Sequence, residues 1–405
     1  MAGVDAGSSY GTNTTTYAST IKTKWQLELL KSAEGYLVAD KFANTQVMGR
    51  GEGGTLVLNR LLRPAKQTTS SSAGYLYDYD DAKALTSNKI EVTPTLWGDS
   101  FGFTDVEDIQ SFITMPQNRE IIARQMAQSF DYQVMKALAT GSMRHRIDKD
   151  TSYQVSGTAT SGTTTTLVNT GALAEADSAW VGGYLTIVNP GGANYDIAAI
   201  VTASDQSSTN VTVGTQPQAY GSTSKYRLTV GTGIAATDKM TVTGLLDVSA
   251  LHRKLQTPKF KGGIYRMFMD AAQERDIWDD TIFTDTAKYD DSERYASYSV
   301  GRWLDIEFLV SSEMYREDVN GTENQATGVV YVAPIFGADS YSVVRWGMGQ
   351  GDFGAQFIVV DQPDSGNLRS GMKWLSWKAY FAAKVLRATS SIGLMTGATS
   401  LNVVL

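Results

Sequence analysis

The chain of 405 residues contains no cysteine and only two histidines. Without cysteine it can form no disulfide, no thiolate zinc site and no cysteine-ligated iron–sulfur cluster, and it has no cysteine nucleophile. The histidines, His145 and His252, lie far apart, and neither belongs to an H-x-x-H or H-E-x-x-H pattern. The sequence therefore predicts no metal site, no cofactor and no catalytic residue.

Charged residues and long apolar runs are also scarce. Charged residues make up 19% of the chain and hydrophobic residues 42%, which is typical of a folded protein. The formal net charge of −7 offers no strongly basic surface for non-specific nucleic-acid binding. No segment reaches the roughly eighteen apolar residues of a transmembrane helix, and residues 1–20 lack the features of a signal peptide. We therefore expect a soluble chain that is synthesised in the cytoplasm.

Enzyme motifs are weak or missing. The glycine-rich run GRGEGG at 49–54 lacks the G-x-x-x-x-G-K-[ST] pattern and precedes a predicted strand, so it does not indicate a phosphate-binding loop. Paired carboxylates such as Asp279 and Asp280 could support glycoside hydrolysis, but any chain of this length contains such pairs. The sequence thus predicts a protein that is not an enzyme.

The N-terminal part of the chain suggests mobile contact segments. Residues 1–20 are small and polar with one charge, so they cannot bury enough apolar surface to order themselves. Two β-type runs, in 49–67 and 88–105, flank a polar stretch of about twenty residues, which is too long for a tight hairpin and predicts an extended loop. Opposite charges on its two limbs suit contact with a neighbouring subunit, and a solvated loop is the alternative. The candidate contact residues are Arg60, Arg63, Lys66, Asp78, Asp80 and Asp81 on the loop, and Trp25 in the helix-like segment 21–42.

Periodicity predicts several regular elements beyond this loop. The clearest is a helix over 116–141, with Pro116 in its first turn. A helix through 245–255, a strand at 264–269 and an N-cap at Asp270 follow later in the chain. The run SMRHRID is interpreted as a basic turn. Alternation in the segment from 372 predicts a strand on which Trp374 and Trp377 face opposite sides.

A sharp change in composition marks residues 151–235. Only six of these 85 residues are charged, or about 7%, and Thr, Ser, Gly and Val dominate. Short alternating runs such as GGYLTIVN and KYRLTVG lie between turn residues, which is typical of β-structure. This region is therefore interpreted as an all-β insertion.

Five segments of the chain resemble, in order and spacing, parts of one known family. NKIEVTPTLWGDSFGFTDVEDI and REIIARQMAQSFDYQVMKALATG resemble the end of its extended loop and its spine helix. YRMFMDAAQERDIWDD resembles its axial-domain strand and helix, whereas GADSYSVVRWG and KWLSWKAYFAAKVLRATS resemble its terminal strands. The family is the major capsid proteins of tailed bacteriophages with the Hong Kong 97 fold, in particular a short-tailed-phage coat subfamily. The resemblance covers most of the chain outside 151–235.

The resemblance implies an α+β Hong Kong 97-type capsid fold and a function in shell assembly. Copies of the chain, arranged in pentamers and hexamers, would form the icosahedral shell of a tailed phage around its double-stranded DNA. The protein would then lie in the virion, with portal, scaffolding and decoration proteins as further candidate partners, non-specific DNA contact and no membrane. The implied divisions are an N-terminal arm at 1–48, an extended loop at 49–100, a peripheral domain with the spine helix at 101–141 and 372–405, the all-β insertion at 142–240 and an axial domain at 241–371.

Two other functions remain open at this point. The first is a sugar- or surface-binding β-rich module, in which 151–235 would be the recognition domain. The Thr/Gly-rich β run and the scattered tryptophans, which could stack on a sugar, support it. The second is a hydrolase that uses paired carboxylates.

Overall fold

The computed structural model describes residues 37–49, 52–61, 87–104, 115–173, 178–189, 194–290, 301–311, 313–324, 330–347, 355–360 and 372–399. The helices of these residues are α1 (Met115–Gly141), α2 (Val242–Leu255), α3 (Ala271–Asp279) and α4 (Thr281–Asp290). None of these described helices is both long and apolar enough to cross a membrane.

The described strands are numbered in chain order. The first twelve are β1 (Asn44–Met48), β2 (Leu56–Leu61), β3 (Ser87–Val92), β4 (Thr95–Thr104), β5 (Met143–Arg146), β6 (Gln154–Thr158), β7 (Ser161–Gly162), β8 (Thr166–Val168), β9 (Tyr184–Ile187), β10 (Ala198–Asp205), β11 (Asn210–Val213) and β12 (Lys225–Thr229). The remaining strands are β13 (Tyr265–Met269), β14 (Arg302–Trp303), β15 (Ile306–Val310), β16 (Arg316–Glu317), β17 (Val330–Phe336), β18 (Tyr341–Trp346), β19 (Ala355–Val360), β20 (Met372–Val385) and β21 (Ser391–Thr396).

The chain divides into two compact units. Within the described residues, the first unit comprises those up to Leu56 together with Val92–Gln133 and Val343–Ala383, and the rest of the chain forms the second. The sheet of the first unit has the order β1-β18-β20-β19, with β4 also paired to β20. The divisions implied by the family resemblance differ from these units and stay predictions.

Alternation along β20 builds the core of the first unit. Leu375, Trp377, Ala379 and Phe381 are buried on one face, whereas Trp374 is exposed on the other. The opposite orientation of Trp374 and Trp377 is therefore confirmed. Phe130 of α1 packs edge-on against the rings of Trp377 and Phe381, with centroids 5.8 and 4.3 Å away. Burial of these aromatic side chains, at about 25 cal/mol per Å² of apolar surface, holds α1 to the sheet.

Strands β6 to β12 form a sheet of their own, which confirms the β-structure predicted for 151–235, and the division at 142–240 as a separate inserted domain stays a prediction. The strand order of this sheet is β6-β12-β9-β10-β11-β8-β7, and its pairings are antiparallel. The buried core of this inserted sheet is apolar and aromatic, and it includes Leu167, Trp180, Leu185, Tyr226 and Leu228.

The second unit also contains a mixed sheet of parallel and antiparallel strands. Its order is β14-β15-β13-β17-β21-β5, with β16 paired to β17, and the pairs β13–β15 and β21–β5 are parallel. Helix α2 covers its apolar face through Leu245 and Val248. Helix α3 starts at Asp270, whose side chain accepts from Ala272 N–H while Gln273 bonds back to Asp270 N–H. This capping box confirms the predicted N-cap.

Two sequence interpretations are wrong. The run SMRHRID is not a basic turn, because Met143–Arg146 form the fully buried strand β5. Its charges are tolerated in the interior because each finds a partner there. The single β run predicted in 88–105 is two strands, β3 and β4, which Thr93 and Pro94 separate. Proline lacks the N–H that a continuous ladder needs.

Candidate functional site

The carboxylate pair Asp279 and Asp280 has structural contacts. Asp280 accepts from the backbone N–H of Val242 through Oδ2 and from that of Ile282 through Oδ1, each at 2.9 Å. It therefore ties the start of α2 to the start of α4. Asp279 is exposed and pairs with Lys239 at 3.3 Å. The contacts of the two carboxylates in the described structure are those of a helix cap and a surface ion pair.

Both histidines are buried and hydrogen-bonded. His252 lies between the Ile335 carbonyl oxygen and the Thr257 hydroxyl, each at 3.1 Å, and it stacks on Tyr265. Burial lowers the pKa of His252 to about 3. Burial and the adjacent Arg227 guanidinium lower the pKa of His145 to about 4. In the described part of the chain no group of three His, Asp or Glu side chains could hold a metal ion.

The run GDSFG at 98–102 matches the G-x-S-x-G spacing of a hydrolase nucleophile elbow. An elbow requires a sharp turn from strand to helix. These residues instead lie inside β4, where they pair in register with residues 374–378 of β20. Ser100 is exposed and both histidines are hydrogen-bonded elsewhere, so this serine has neither the turn nor the base that the motif needs.

A buried ion pair of the mixed sheet contacts the inserted sheet through Tyr184. Arg144 of β5 and Glu317 of β16 are completely buried, with 3.1 Å between Nη2 and Oε2. The Arg144 guanidinium lies 4.1 Å from the ring centre of Tyr184 in β9, whose hydroxyl donates to Glu317 at 3.4 Å. Burial alone would lower the pKa of Arg144, but Glu317, Tyr184 and Tyr315 together outweigh burial and raise it. One charged pair thus fastens three strands.

Arg146, two residues further along β5, makes a second connection of the same kind. It pairs with Asp148 at 2.5 Å and donates to the carbonyl oxygens of Val230 and Thr232. The guanidinium also lies over the ring of Tyr153, 4.9 Å from its centre. The positive charges that the sequence suggested for a solvated turn therefore hold the inserted sheet in place.

Of the seven candidate contact residues, the described residues include Arg60; Trp25, Arg63, Lys66, Asp78, Asp80 and Asp81 lie outside them. Arg60 lies in β2, which pairs with β3 in a two-stranded sheet. Its side chain is largely buried and pairs with Asp196 of its own chain at 3.6 Å. Burial lowers the pKa of Arg60, which Asp196 partly offsets. Its contact with the acids of a neighbouring subunit stays a prediction.

The outer face of the first unit's sheet carries exposed apolar side chains that sequence analysis did not select. Leu96 of β4 is 58% exposed and Trp374 of β20 is 39% exposed. Leu96 pairs in register with Tyr380, which packs edge-on against Trp346. The Trp374 ring covers Gly102, where a Cβ would lie 2.8 Å from it. The alternation that predicted the orientation of Trp374 also marks this face.

Aromatic side chains of the inserted sheet are poorly placed for stacking on a sugar. Such stacking needs an exposed aromatic face. The aromatic residues of 151–235 are all described, and all except the half-buried Tyr153 are buried: Trp180, Tyr184, Tyr195, Tyr220 and Tyr226. Among the aromatic residues of 151–235, only the half-buried Tyr153 could therefore contact a sugar through its ring.

Sequence comparison finds no matching protein-family model and no matching curated protein. Structural comparison finds similar solved chains. The capsid of Ralstonia phage GP4 matches with a TM-score of 0.50 and 13% identity, over 91% of this chain and 93% of that chain. The capsid asymmetric unit of cyanophage Pam1 matches with a TM-score of 0.50 and 11% identity, over 91% of this chain and 92% of that chain.

The chain has the Hong Kong 97-type fold of phage capsid proteins. The fold class predicted from the sequence is thus confirmed, because the likeness extends over about nine-tenths of both chains. The outer face of the first unit's sheet and the hairpin of β2 and β3 are the candidate functional surfaces of this chain, because the first exposes Leu96 and Trp374 and the second carries Arg60.

Proposed function

We propose that the chain is a major capsid protein, which self-assembles into the icosahedral shell of a tailed bacteriophage around its double-stranded DNA. The observation that carries this proposal is the match in fold to two phage capsids along nearly the whole length of each chain. The role is structural rather than catalytic. It agrees with the carboxylates and histidines described above, which are engaged in caps and packing contacts.

Self-association gives the exposed apolar side chains a purpose. A neighbouring copy that covers Leu96 and Trp374 would remove apolar surface from water, which favours association. A closed shell repeats each contact many times, so each one can be weak. Ordering of the N-terminal arm and the loop on neighbours would offset the entropy that these polar segments lose.

The proposed partners follow from the same arrangement. Copies of the chain would meet in pentamers and hexamers, with the axial domain at 241–371 toward their centres. The other divisions would be the N-terminal arm at 1–48, the extended loop at 49–100, the peripheral domain at 101–141 and 372–405, and the all-β insertion at 142–240. Portal, scaffolding and decoration proteins are further candidates. The net charge of −7 suits a container that binds its packaged DNA only non-specifically. The proposed location is the virion.

Sedimentation of the purified full-length chain tests self-association. The wild-type protein should sediment as large, closed assemblies. Leu96→Glu should lower the assembled fraction severalfold, because it places a charge where apolar surface is to be covered. Leu246→Glu is the matched control, since Leu246 is a comparably exposed leucine that lies in α2 and not on this sheet. Equal assembly of Leu96→Glu and wild type would remove this face from the interface, and a wild-type chain that stays monomeric would contradict the proposed function.

A further inference from the structure

Arg60 joins three parts of the chain that are distant in sequence. Its side chain, near the C-terminal end of β2 in the hairpin formed by β2 and β3, is only 10% exposed. Its terminal nitrogens donate to the carbonyl oxygen of Tyr195, at 3.1 Å, and to that of Leu386. Its pairing with Asp196 adds a carboxylate to these two acceptors. One side chain of the hairpin thus contacts a loop of the inserted sheet and the segment that connects β20 to β21.

The carboxylate that faces Arg60 is fixed by contacts that do not involve the hairpin. Asp196 adopts a left-handed backbone conformation with φ of 70°, which Asp tolerates better than most residues. Its N–H donates to the Ile187 carbonyl oxygen at 3.0 Å, and its own carbonyl oxygen accepts from Ala388 N–H at 3.1 Å. Its Oδ1 accepts from the backbone N–H of Thr389, at 2.7 Å, and from the hydroxyl of the same residue. Oδ2 then faces the guanidinium.

The hairpin has a second, weaker attachment to the same segment. Lys384 donates through Nζ to the Glu91 carbonyl oxygen of β3 at 3.0 Å, but this hydrogen bond is exposed to solvent. Exposed contacts of this kind contribute little to stability. Of these two links, the buried contacts of Arg60 are therefore the stronger. Only the contacts of Arg60 reach the inserted sheet.

We propose that Arg60 is the positioning residue that fixes the hairpin of β2 and β3 on the inserted sheet, so that this sheet sets the direction of the hairpin's strands. The proposal rests on the proposed function, because the direction of the hairpin matters when it contacts a neighbouring copy. The inserted sheet then serves to aim a contact arm of the shell subunit.

The chemistry of this junction requires arginine. A planar guanidinium offers five N–H donors in a fixed fork, which can satisfy two carbonyl oxygens and one carboxylate at once. A lysine ammonium at the same place presents a point charge on a flexible stem and cannot reproduce that geometry. Removal of the guanidinium leaves the buried Asp196 carboxylate without its counter-ion, and this penalty favours detachment of the hairpin.

Hydrogen–deuterium exchange on the unassembled full-length subunit tests the coupling. Asp196→Asn, a change within the inserted sheet, should speed exchange of the β2 and β3 amides by roughly tenfold, as expected for loss of a buried charged contact. Asp205→Asn is the matched control, because Asp205 lies in the same sheet but bonds only within its own turn, to Ser207 and Ser208. Unchanged exchange in β2 and β3 for Asp196→Asn, or an equal change for Asp205→Asn, would overturn the proposal.

Asp196→Asn could disturb the inserted sheet itself, and faster amide exchange in β9 and β12 would reveal this. Two variants of Arg60 then test the proposal independently. Arg60→Gln should then speed exchange at β2, β3 and residues 194–196 while β9 and β12 stay protected. Arg60→Lys should fall between Arg60→Gln and wild type. Equal protection of the hairpin in all three proteins would show that Arg60 does not hold it.

Electron microscopy of assembled protein separates this proposal from the proposed function. Arg60→Gln should yield fewer or misshapen shells, whereas Lys89→Gln, at an exposed position of β3, should assemble like wild type. Regular shells from Arg60→Gln, despite faster exchange of its hairpin, would refute the positioning role. Absence of shells from the wild-type chain would refute the proposed function and leave the exchange result to decide whether Arg60 couples hairpin and sheet.

Discussion

The inserted sheet and the mixed sheet of the second unit are stabilised by different interactions. Both have seven strands. The inserted sheet pairs its strands antiparallel around an apolar and aromatic core, and its sequence contains few charges. The mixed sheet includes parallel pairs and buries charged side chains such as Arg144, Arg146 and Glu317. Because buried charge requires a fixed partner, such side chains mark the points where separate segments are fastened together.

This contrast predicts where a substitution will do the most harm. The largest effect is expected at the Arg144–Glu317 pair. Glu317→Gln or Arg144→Met should each lower the free energy of unfolding by about 3–5 kcal/mol, since each leaves the other group buried and uncompensated. The double variant Arg144→Met/Glu317→Leu should recover most of that loss. Denaturant unfolding of the full chain measures all three, and a double variant as unstable as the singles would show that the charges themselves are required.

Acid should destabilise the packing of α2 against the mixed sheet through the buried His252. The unfolded chain gains a proton on histidine near pH 6.5, whereas the folded pKa of His252 is about 3. The stability that the neutral His252 contributes is therefore complete above about pH 6.5 and is lost as the pH falls toward 3. The loss in the free energy of unfolding reaches roughly 3 kcal/mol by pH 4.

Histidine NMR titration of the folded subunit checks this directly. The His252 ring signal should stay in its neutral position down to the pH at which the protein unfolds. A midpoint near 6.5 in the folded state would mean that the ring is solvated and that its packing against Tyr265 is misassigned.

A smaller loss of stability should distinguish the helix-capping Asp280 from the surface-exposed Asp279. Asp280→Ala should cost about 1 kcal/mol or somewhat more, because it removes acceptors for the first N–H groups of two helices. Asp279→Ala should cost less than about 0.5 kcal/mol, since its contact with Lys239 is exposed. Thermal unfolding of the two variants measures the difference, and an equal loss from both would contradict the assigned capping role.

The smallest effect concerns the low charge of the inserted sheet. Ile200 of β10 is substantially exposed, so Ile200→Lys should change the free energy of unfolding by no more than about 0.5 kcal/mol. That result would show that the low charge of this sheet is not needed for folding. A loss above about 1 kcal/mol in denaturant unfolding would indicate instead that the side chain packs against the sheet.

Local signals in the sequence predicted local features well. Composition and alternation located the inserted sheet and the opposite orientation of Trp374 and Trp377, and Asp270 was recognisable as an N-cap. These features depend on neighbours within a few residues, so a single sequence contains the information. The order of elements also supported the fold class, because the resemblance depends on spacing along the chain.

Features that depend on distant partners could not be predicted. The run MRHR of β5 suggested a basic turn because three of its four residues are basic. Glu317, the partner that makes burial of Arg144 possible, lies 173 residues away in the sequence. Arg60 likewise suggested an outward-facing contact, but its acceptors on Tyr195 and Leu386 lie 135 and 326 residues away. Burial of a charge is decided by tertiary structure, and the sequence gives only the charge.

Electron microscopy of the purified full-length protein is the most direct test of the central claim that this chain is a shell subunit. The account predicts closed particles of uniform diameter, built from many copies of the 43.9 kDa chain. Single, well-separated molecules that persist at high protein concentration would contradict it.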